Sequence, residues 1–148
     1  MRTFNQNHAI RLVGSPHSMA AAGYTNWQNM VGFRRLTFLV GVDDDLGGDV
    51  DVQAYEATSA AGANAQSLGN DYAGTFTAGD HDGFGGAIEV LAGKLSSGYS
   101  YVGLHISPAA ETVVTAFAVL SDPYSAPVSN TENDGVAFVA GSSAEVAS

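Results

Sequence analysis

Acidic side chains concentrate in one short stretch of the chain, and carboxylates are ligands that Ca²⁺ prefers. Five aspartates fall within nine residues: Asp43, Asp44, Asp45, Asp49 and Asp51. An EF-hand loop beginning at Asp43 would need an acid at its twelfth position and Asp or Asn at its fifth, but Ala54 and Gly47 stand there. The stretch that begins at Asp80 fails at the same two positions. We interpret both stretches as solvated turns, with a structural Ca²⁺ ion as the alternative, and expect no other cofactor.

Four histidines and one serine–histidine neighbourhood are the next candidates for chemistry. The histidines are too far apart in sequence to form a His-x-x-x-His or His-Glu-x-x-His zinc motif. Gly14-Ser15-Pro16-His17 places a serine near a histidine, but the Gly-x-Ser-x-Gly elbow of a hydrolase nucleophile is missing. No two carboxylates stand out as the pair that glycoside hydrolysis requires. We therefore predict that the protein is not an enzyme and has no catalytic residues.

Aromatic residues are the last candidates for binding. Trp27, the only tryptophan, lies with Tyr24 and Phe33 just before the first strongly apolar segment. Tyr and Trp combine a large apolar ring with a polar group, so they are frequent in cores, at subunit interfaces and at binding surfaces. We interpret them as core or interface residues, and stacking on sugar rings is the alternative.

The elements that must position these residues are strands. Seven segments have β-branched, aromatic or alternating composition: 8–13, 33–42, 49–55, 72–77, 86–91, 99–107 and 112–120. Gly, Asp, Asn, Ser and Pro fill the stretches between them, and no long segment has helical periodicity. Segment 112–120 is apolar on both faces, which predicts a strand in the centre of a sandwich or at a subunit contact. The fold class is therefore all-β, a β-sandwich of which the jelly roll is one form.

A chain of 148 residues fits one domain, and we assign 1–148 to a single β-sandwich. Periodicity is weak over about 1–30 and about 123–148. We expect these stretches to be extended N-terminal and C-terminal arms that order on a neighbouring molecule. The chain has no cysteine, so no disulfide can staple it. It also shows no signal peptide and no apolar run long enough for a membrane span.

Charge is distributed unevenly along the chain. Residues 1–42 contain four arginines and no acid, whereas residues 43–148 contain Lys94 and all 15 acids, which gives +4 and −14, or the net −10. An acidic body repels nucleic acid, so we expect neither a nucleic acid nor a membrane as partner. The arginines are either scattered on a strand and its flanks or directed at an acidic partner surface.

Residues 50–65 have the pattern of a strand followed by a loop of small residues, residues 89–104 contain Tyr101-Val102, and residues 121–128 contain Pro123-Tyr124. In this order along the chain, the three segments resemble the decoration (cement) proteins of tailed-bacteriophage capsids. Together with Trp27 they make the resemblance extend over about residues 24–128. The family pattern often has a Lys near Gln66 and a basic residue where Pro123 stands, so this chain departs from it at two points.

The resemblance implies a structural virion protein that binds the outer surface of a phage capsid and stabilises the shell. Its partners would be the major capsid protein and itself, as a homotrimer, after synthesis in the host cytoplasm. We expect Arg11, Arg34 and Arg35 to make the capsid contact. The alternative function is a carbohydrate-binding or receptor-binding β-sandwich module of a phage tail or fibre, which would show a surface row of Trp and Tyr beside a polar groove.

Overall fold

The computed structural model describes residues 8–124, 130–131 and 146–147. In this part of the chain, strands are joined by turns and by two short 3-10 segments, Asn70–Tyr72 and Ala92–Lys94. The strands are β1 (Ala9–Met19), β2 (Gly23–Tyr24), β3 (Gln28–Asn29), β4 (Phe33–Val42), β5 (Val50–Ala57), β6 (Gln66–Ser67), β7 (Ala73–Phe76), β8 (Gly85–Leu91), β9 (Tyr101–Pro108), β10 (Thr112–Pro123), β11 (Asn130–Thr131) and β12 (Val146–Ala147). No helix among the described residues has the length and apolar character to cross a membrane.

Two antiparallel sheets carry the fold. The first has the strand order β1-β10-β4-β8, and the second has the order β2-β9-β5-β6, with β3 also paired to β9 and β7 to β5. When β2 and β3 are counted as one interrupted strand, and β6 and β7 as another, the ten strands β1 to β10 reduce to eight. Their order is then 1-8-3-6 in one sheet and 2-7-4-5 in the other, which is the connectivity of a jelly roll. The predicted all-β sandwich is confirmed. The short strands β11 and β12 form a separate parallel pair.

The core lies between the sheets and follows from alternation along the strands. In β5 and β9 every second side chain points inward, as the sequence predicts: Val50, Val52, Ala54, Val102, Leu104 and Ile106 are all buried. The first sheet contributes the inner faces of β4 and β10, which comprise Leu36, Phe38, Val40, Val114, Ala116, Ala118 and Leu120. Phe38 is the largest of the fully buried side chains. Its ladder partner on β10 is the small Ala118, which leaves room for the ring beside it in the same sheet.

The predicted N-terminal arm over about residues 1–30 is wrong from Ala9 onward. β1 is an integral strand that pairs with β10, and it buries Ala9 and Val13 in the core. Two register shifts on either side of Gly14 break the alternation of β1, which is why its sequence shows little periodicity. Residues 1–7 lie outside the described residues. The predicted C-terminal arm over about 123–148 also lies outside them, apart from Pro123, which ends β10, Tyr124 and the β11–β12 pair.

One carboxylate is enclosed where β5 meets the turn after β8. Glu56 is 2% exposed, and its Oε1 accepts hydrogen bonds from the Ser96 hydroxyl at 2.5 Å and the Gln66 amide at 2.6 Å. Its Oε2 accepts the Ser96 backbone N–H at 2.8 Å. Burial alone raises the pKa of Glu56, but these three hydrogen bonds stabilise the anion more strongly, and the pKa is lowered. The ionised group thus fastens two loops to β5.

The substitution Glu56→Gln is expected to lower the free energy of unfolding at neutral pH by about 1–3 kcal/mol, because an amide cannot accept all three hydrogen bonds. Since the folded-state pKa is depressed, this stabilisation is fully present above the ordinary pKa of glutamate. It is lost as the pH falls through the lowered value. Denaturant unfolding at several acidic pH values measures the difference in free energy of unfolding between wild type and variant. Asp71→Asn, at an exposed carboxylate, is the control. Equal stability of wild type and Glu56→Gln at neutral pH would contradict the expectation.

Candidate functional site

The outer face of the first sheet carries an aligned row of apolar side chains. Leu12 pairs with Phe117, Phe117 pairs with Leu39, and Leu39 pairs with Ala87. Direct ladder partners project to the same side of a sheet, so this row crosses all four strands. Leu39 is 45% exposed and Phe117 is 37% exposed, which shows that no other described residue covers the centre of the row.

Neighbouring pairs extend the row into a surface. Ile10 pairs with Val119 one step along the ladder, and Val113 and Leu91 are exposed towards two corners. We name this surface the apolar face and define it by Ile10, Leu12, Leu39, Ala87, Leu91, Val113, Phe117 and Val119. The sequence predicted that segment 112–120 is apolar on both faces, and the structure places this strand, β10, between β1 and β4. An exposed group of apolar side chains of this kind is typical of a site that binds another protein, and Thr37 and Glu89, which lie beside Val119 on the same face, interrupt it on β4 and β8.

Charged groups border the apolar face near the end of β10. The Arg35 Nη1 lies 3.5 Å from the Glu89 Oε2, and its Nε lies 3.3 Å from the Asp122 Oδ2. The Nε is enclosed but not aligned for a hydrogen bond, so its contact with Asp122 is an ion pair only. Two carboxylates therefore offset the charge of Arg35, which weakens the positive potential that the sequence predicts at this position.

The structure does not gather the three arginines predicted to contact a capsid into one patch. Arg11 pairs with the buried Ala118, whereas Arg35 pairs with Ser121, three residues further along β10, so the two arginines project to opposite sides of the sheet. Arg34 stacks over the Tyr124 ring at 4.2 Å from its centroid. The Arg11 Nη1 donates to the Ile10 carbonyl at 3.2 Å. Their role in capsid contact stays a prediction.

The outer face of the second sheet carries a cluster of rings. Tyr24 of β2 pairs with His105 of β9, and their rings are 4.8 Å apart. The Tyr24 ring also lies 5.2 Å from Trp27 and 5.4 Å from Tyr55, while Tyr55 lies 5.6 Å from His105. These are the centroid distances of favourable ring contacts. We name the four residues Tyr24, Trp27, Tyr55 and His105 the aromatic platform.

Two glycines hold the indole of Trp27 in place. A Cβ on Gly103, in the middle of β9, would lie 2.9 Å from the Trp27 Cε3, so the ring rests directly on the strand backbone. Gly62 meets the other edge, where a Cβ would lie 2.5 Å from the Trp27 Nε1. Gly62 also has a φ of +77°, which favours glycine. Sequence reasoning noted Trp27 but missed these partners, because they are distant in the chain.

Three aspartates of the acidic stretch 43–51 accept hydrogen bonds from neighbouring residues. The Asp51 Oδ1 accepts from the Thr75 hydroxyl at 2.6 Å, and the Asp49 Oδ1 accepts from the Ala78 N–H at 3.0 Å. The Asp43 Oδ1 accepts from the Asp44 N–H at 2.7 Å. Within the described ranges, no three His, Asp or Glu side chains converge as metal ligands would.

Two cavities open at the sides of the sandwich. One, of about 230 Å³, lies between the edge strands β7 and β8 and is lined mainly by apolar residues such as Phe76, Phe84 and Ile88, with His81 beside them. The other, of about 200 Å³, lies between β1 and β2 and contains His17. No carboxylate is among the described residues that line these two cavities. The paired acids of a glycosidase are therefore not found there.

Comparison with protein-family models gave no match, and neither did comparison with curated proteins. Several solved structures are similar. The prophage-derived protein YomS of SPBc2 is 12% identical, with a TM-score of 0.46, over 77% of this chain and 94% of its own. A structure of Bacillus endospore appendages is 14% identical, with a TM-score of 0.44, over 78% and 88%. A structure of infectious bursal disease virus, Gx strain, is 8% identical, with a TM-score of 0.48, over 78% of this chain but only 32% of that one. These TM-scores are too low to support an argument about function.

Adding a methyl group beneath Trp27 is expected to destabilise the fold. Gly103→Ala forces the indole off β9 and should lower the free energy of unfolding by about 1–3 kcal/mol, the range for overpacking. Gly74→Ala is the matched control, since it lies in the same sheet and a Cβ there meets nothing within 4 Å. Denaturant unfolding followed by the fluorescence of Trp27 compares the two. If both variants unfold at the same midpoint, the close contact between Trp27 and Gly103 is contradicted.

Proposed function

We propose that this protein is a structural, non-catalytic virion protein that binds the outer surface of a phage capsid and stabilises the shell. The observation that carries the proposal is the apolar face, a group of exposed apolar side chains on the outer side of a four-stranded sheet. The sequence resemblance to capsid decoration proteins over about residues 24–128 supports the same function. The protein would be made in the host cytoplasm and act on the outside of the capsid.

The size of the apolar face bears on how such a protein would bind. Four strands spaced about 4.8 Å apart, over some seven residues of about 3.3 Å each, cover roughly 400 Å². A typical stable interface buries about 800 Å² on each partner, so one apolar face gives a weak contact. We propose that a homotrimer presents three such faces to the major capsid protein, and that their combined binding holds the protein on the shell.

The distribution of charge along the sequence bears on the choice of partner. Arg11 and Arg34 belong to the basic first 42 residues, while the acids of the later segments dominate the remainder of the chain. Basic groups would approach an acidic capsid surface, and the acidic remainder would face solvent and keep decorated particles apart. Arg35 projects on the side of the apolar face, whereas Arg11 and Arg34 alternate to the other side and would have to reach the shell from the rim of the first sheet.

Replacing the centre of the apolar face is expected to weaken capsid binding without unfolding the protein. The double variant Leu39→Ser/Phe117→Ser removes the two large apolar side chains at the centre of the row, and we expect affinity for shells to fall by about tenfold or more. The measurement is saturable co-sedimentation with undecorated shells assembled from the major capsid protein of the same phage. Circular dichroism checks that the variant remains folded.

The matched control is Val31→Ser, which removes an apolar side chain that is 71% exposed in the turn before β4, away from the apolar face. It should bind shells as the wild type does. Wild-type protein that does not pellet with shells would overturn the proposed function. Equal binding by the double variant and the wild type would overturn the role of the apolar face.

The arginine contribution is expected to depend on salt. Arg11→Gln/Arg34→Gln should weaken binding to shells at low ionic strength, and the difference from wild type should shrink at high ionic strength because salt screens the attraction. Each single variant, Arg11→Gln and Arg34→Gln, is also compared with Lys94→Gln, which removes one charge at the only Lys or Arg after residue 42. Binding curves at several salt concentrations test this. A loss that is equal at all salt concentrations would contradict an electrostatic role.

A further inference from the structure

We infer that the aromatic platform is a binding site for a neutral glycan, on the face of the sandwich opposite the apolar face. The inference goes beyond the proposed function and does not depend on it. Tyr24 is 48% exposed, and the other three rings are partly exposed around it. Exposed rings that are fixed on a sheet, rather than on a loop, form a preorganised surface that loses little entropy when a ligand binds.

The platform is held from two directions. Gly103 supports the Trp27 indole from below, and Gly62 contacts its edge, so two separate segments pack against the ring. Tyr24 is held by its backbone pairing with His105 and by ring contacts to its neighbours. A rigid arrangement of this kind suits recognition of a rigid and flat ligand, such as one or two pyranose rings.

The surroundings of the platform are polar. His105 pairs with Gln53, and one step along the same ladder Ser107 pairs with Asp51. The Asp51 carboxylate holds the Thr75 hydroxyl at 2.6 Å, and the Gln53 amide holds the Ser67 hydroxyl at 2.6 Å. The outer face of the second sheet is therefore a small apolar centre beside hydroxyl, amide and carboxylate groups. A sugar ring has the matching chemistry, with a C–H face that can stack on rings and hydroxyls at its perimeter.

Other ligand classes fit less well. A protein partner needs a larger apolar centre than four rings, and the first sheet offers one whereas the second does not. A nucleic acid could stack on the rings, but the platform contains no Lys or Arg and the chain carries a net charge of −10. The acid beside the platform, Asp51, likewise disfavours an anionic sugar. A neutral glycan remains the ligand that the observations favour.

Trp27 provides a direct test, because it is the only tryptophan and lies in the proposed site. The full-length protein is titrated with cellohexaose, maltohexaose and chitohexaose and is screened on an array of neutral bacterial surface glycans. We expect at least one glycan to cause a saturable change in Trp27 fluorescence. The affinity should be weak, with a Kd of roughly 1 mM or below. Isothermal calorimetry with the same glycan confirms binding.

Variants separate stacking from structure. Tyr24→Ala should weaken glycan binding by about tenfold, whereas Tyr24→Phe, which keeps the ring, should bind within about threefold of wild type. Phe117→Ser on the opposite face should leave glycan binding unchanged. The inference is overturned if no glycan gives a saturable response or if Tyr24→Ala binds as well as wild type. It is also overturned if Trp27 fluorescence depends on protein concentration without glycan, because that result would mean that a second copy of the protein covers the platform.

Discussion

The structure depends on a strand that is apolar on both of its faces. β10 pairs with β1 on one side and β4 on the other, and its inner side chains, including Ala116 and Ala118, are fully buried against the second sheet. A strand of this composition is stable only in the interior of a sheet, so it determines the order of the first sheet. The same constraint leaves Phe117 and Val113 on the outer face without a cover among the described residues.

The two outer faces of the sandwich consequently differ in chemistry. The first sheet presents the apolar face, which is suited to a flat protein surface. The second sheet presents polar side chains around the aromatic platform, in which Trp27 rests on the backbone at Gly103. The proposed functions follow from this difference, because a protein that attaches by one face displays the other. Attachment to a capsid and binding of a glycan can then take place on one molecule at the same time.

The sequence predicted much of the fold and less of the surfaces. The bounds of β4 follow from its β-branched and aromatic composition, and the inward sets of β5 and β9 follow from alternation, which a short window of sequence reveals. β1 was interpreted as part of an arm because register shifts around Gly14 erase that alternation. The sequence left open whether the arginines are scattered or share one partner surface, and ladder parity sends Arg11 and Arg35 to opposite sides. The contacts of Trp27 with Gly62 and Gly103 arise from distant segments, which no local pattern indicates.

The orientation of the protein on a shell tests the central claim most directly. Cryo-electron microscopy of undecorated shells saturated with the protein would show which face meets the capsid. We predict that the first sheet lies against the shell, with Phe117 and Leu39 at the contact and the aromatic platform exposed to solvent. A map in which the second sheet meets the shell and the apolar face is open to solvent would contradict the account.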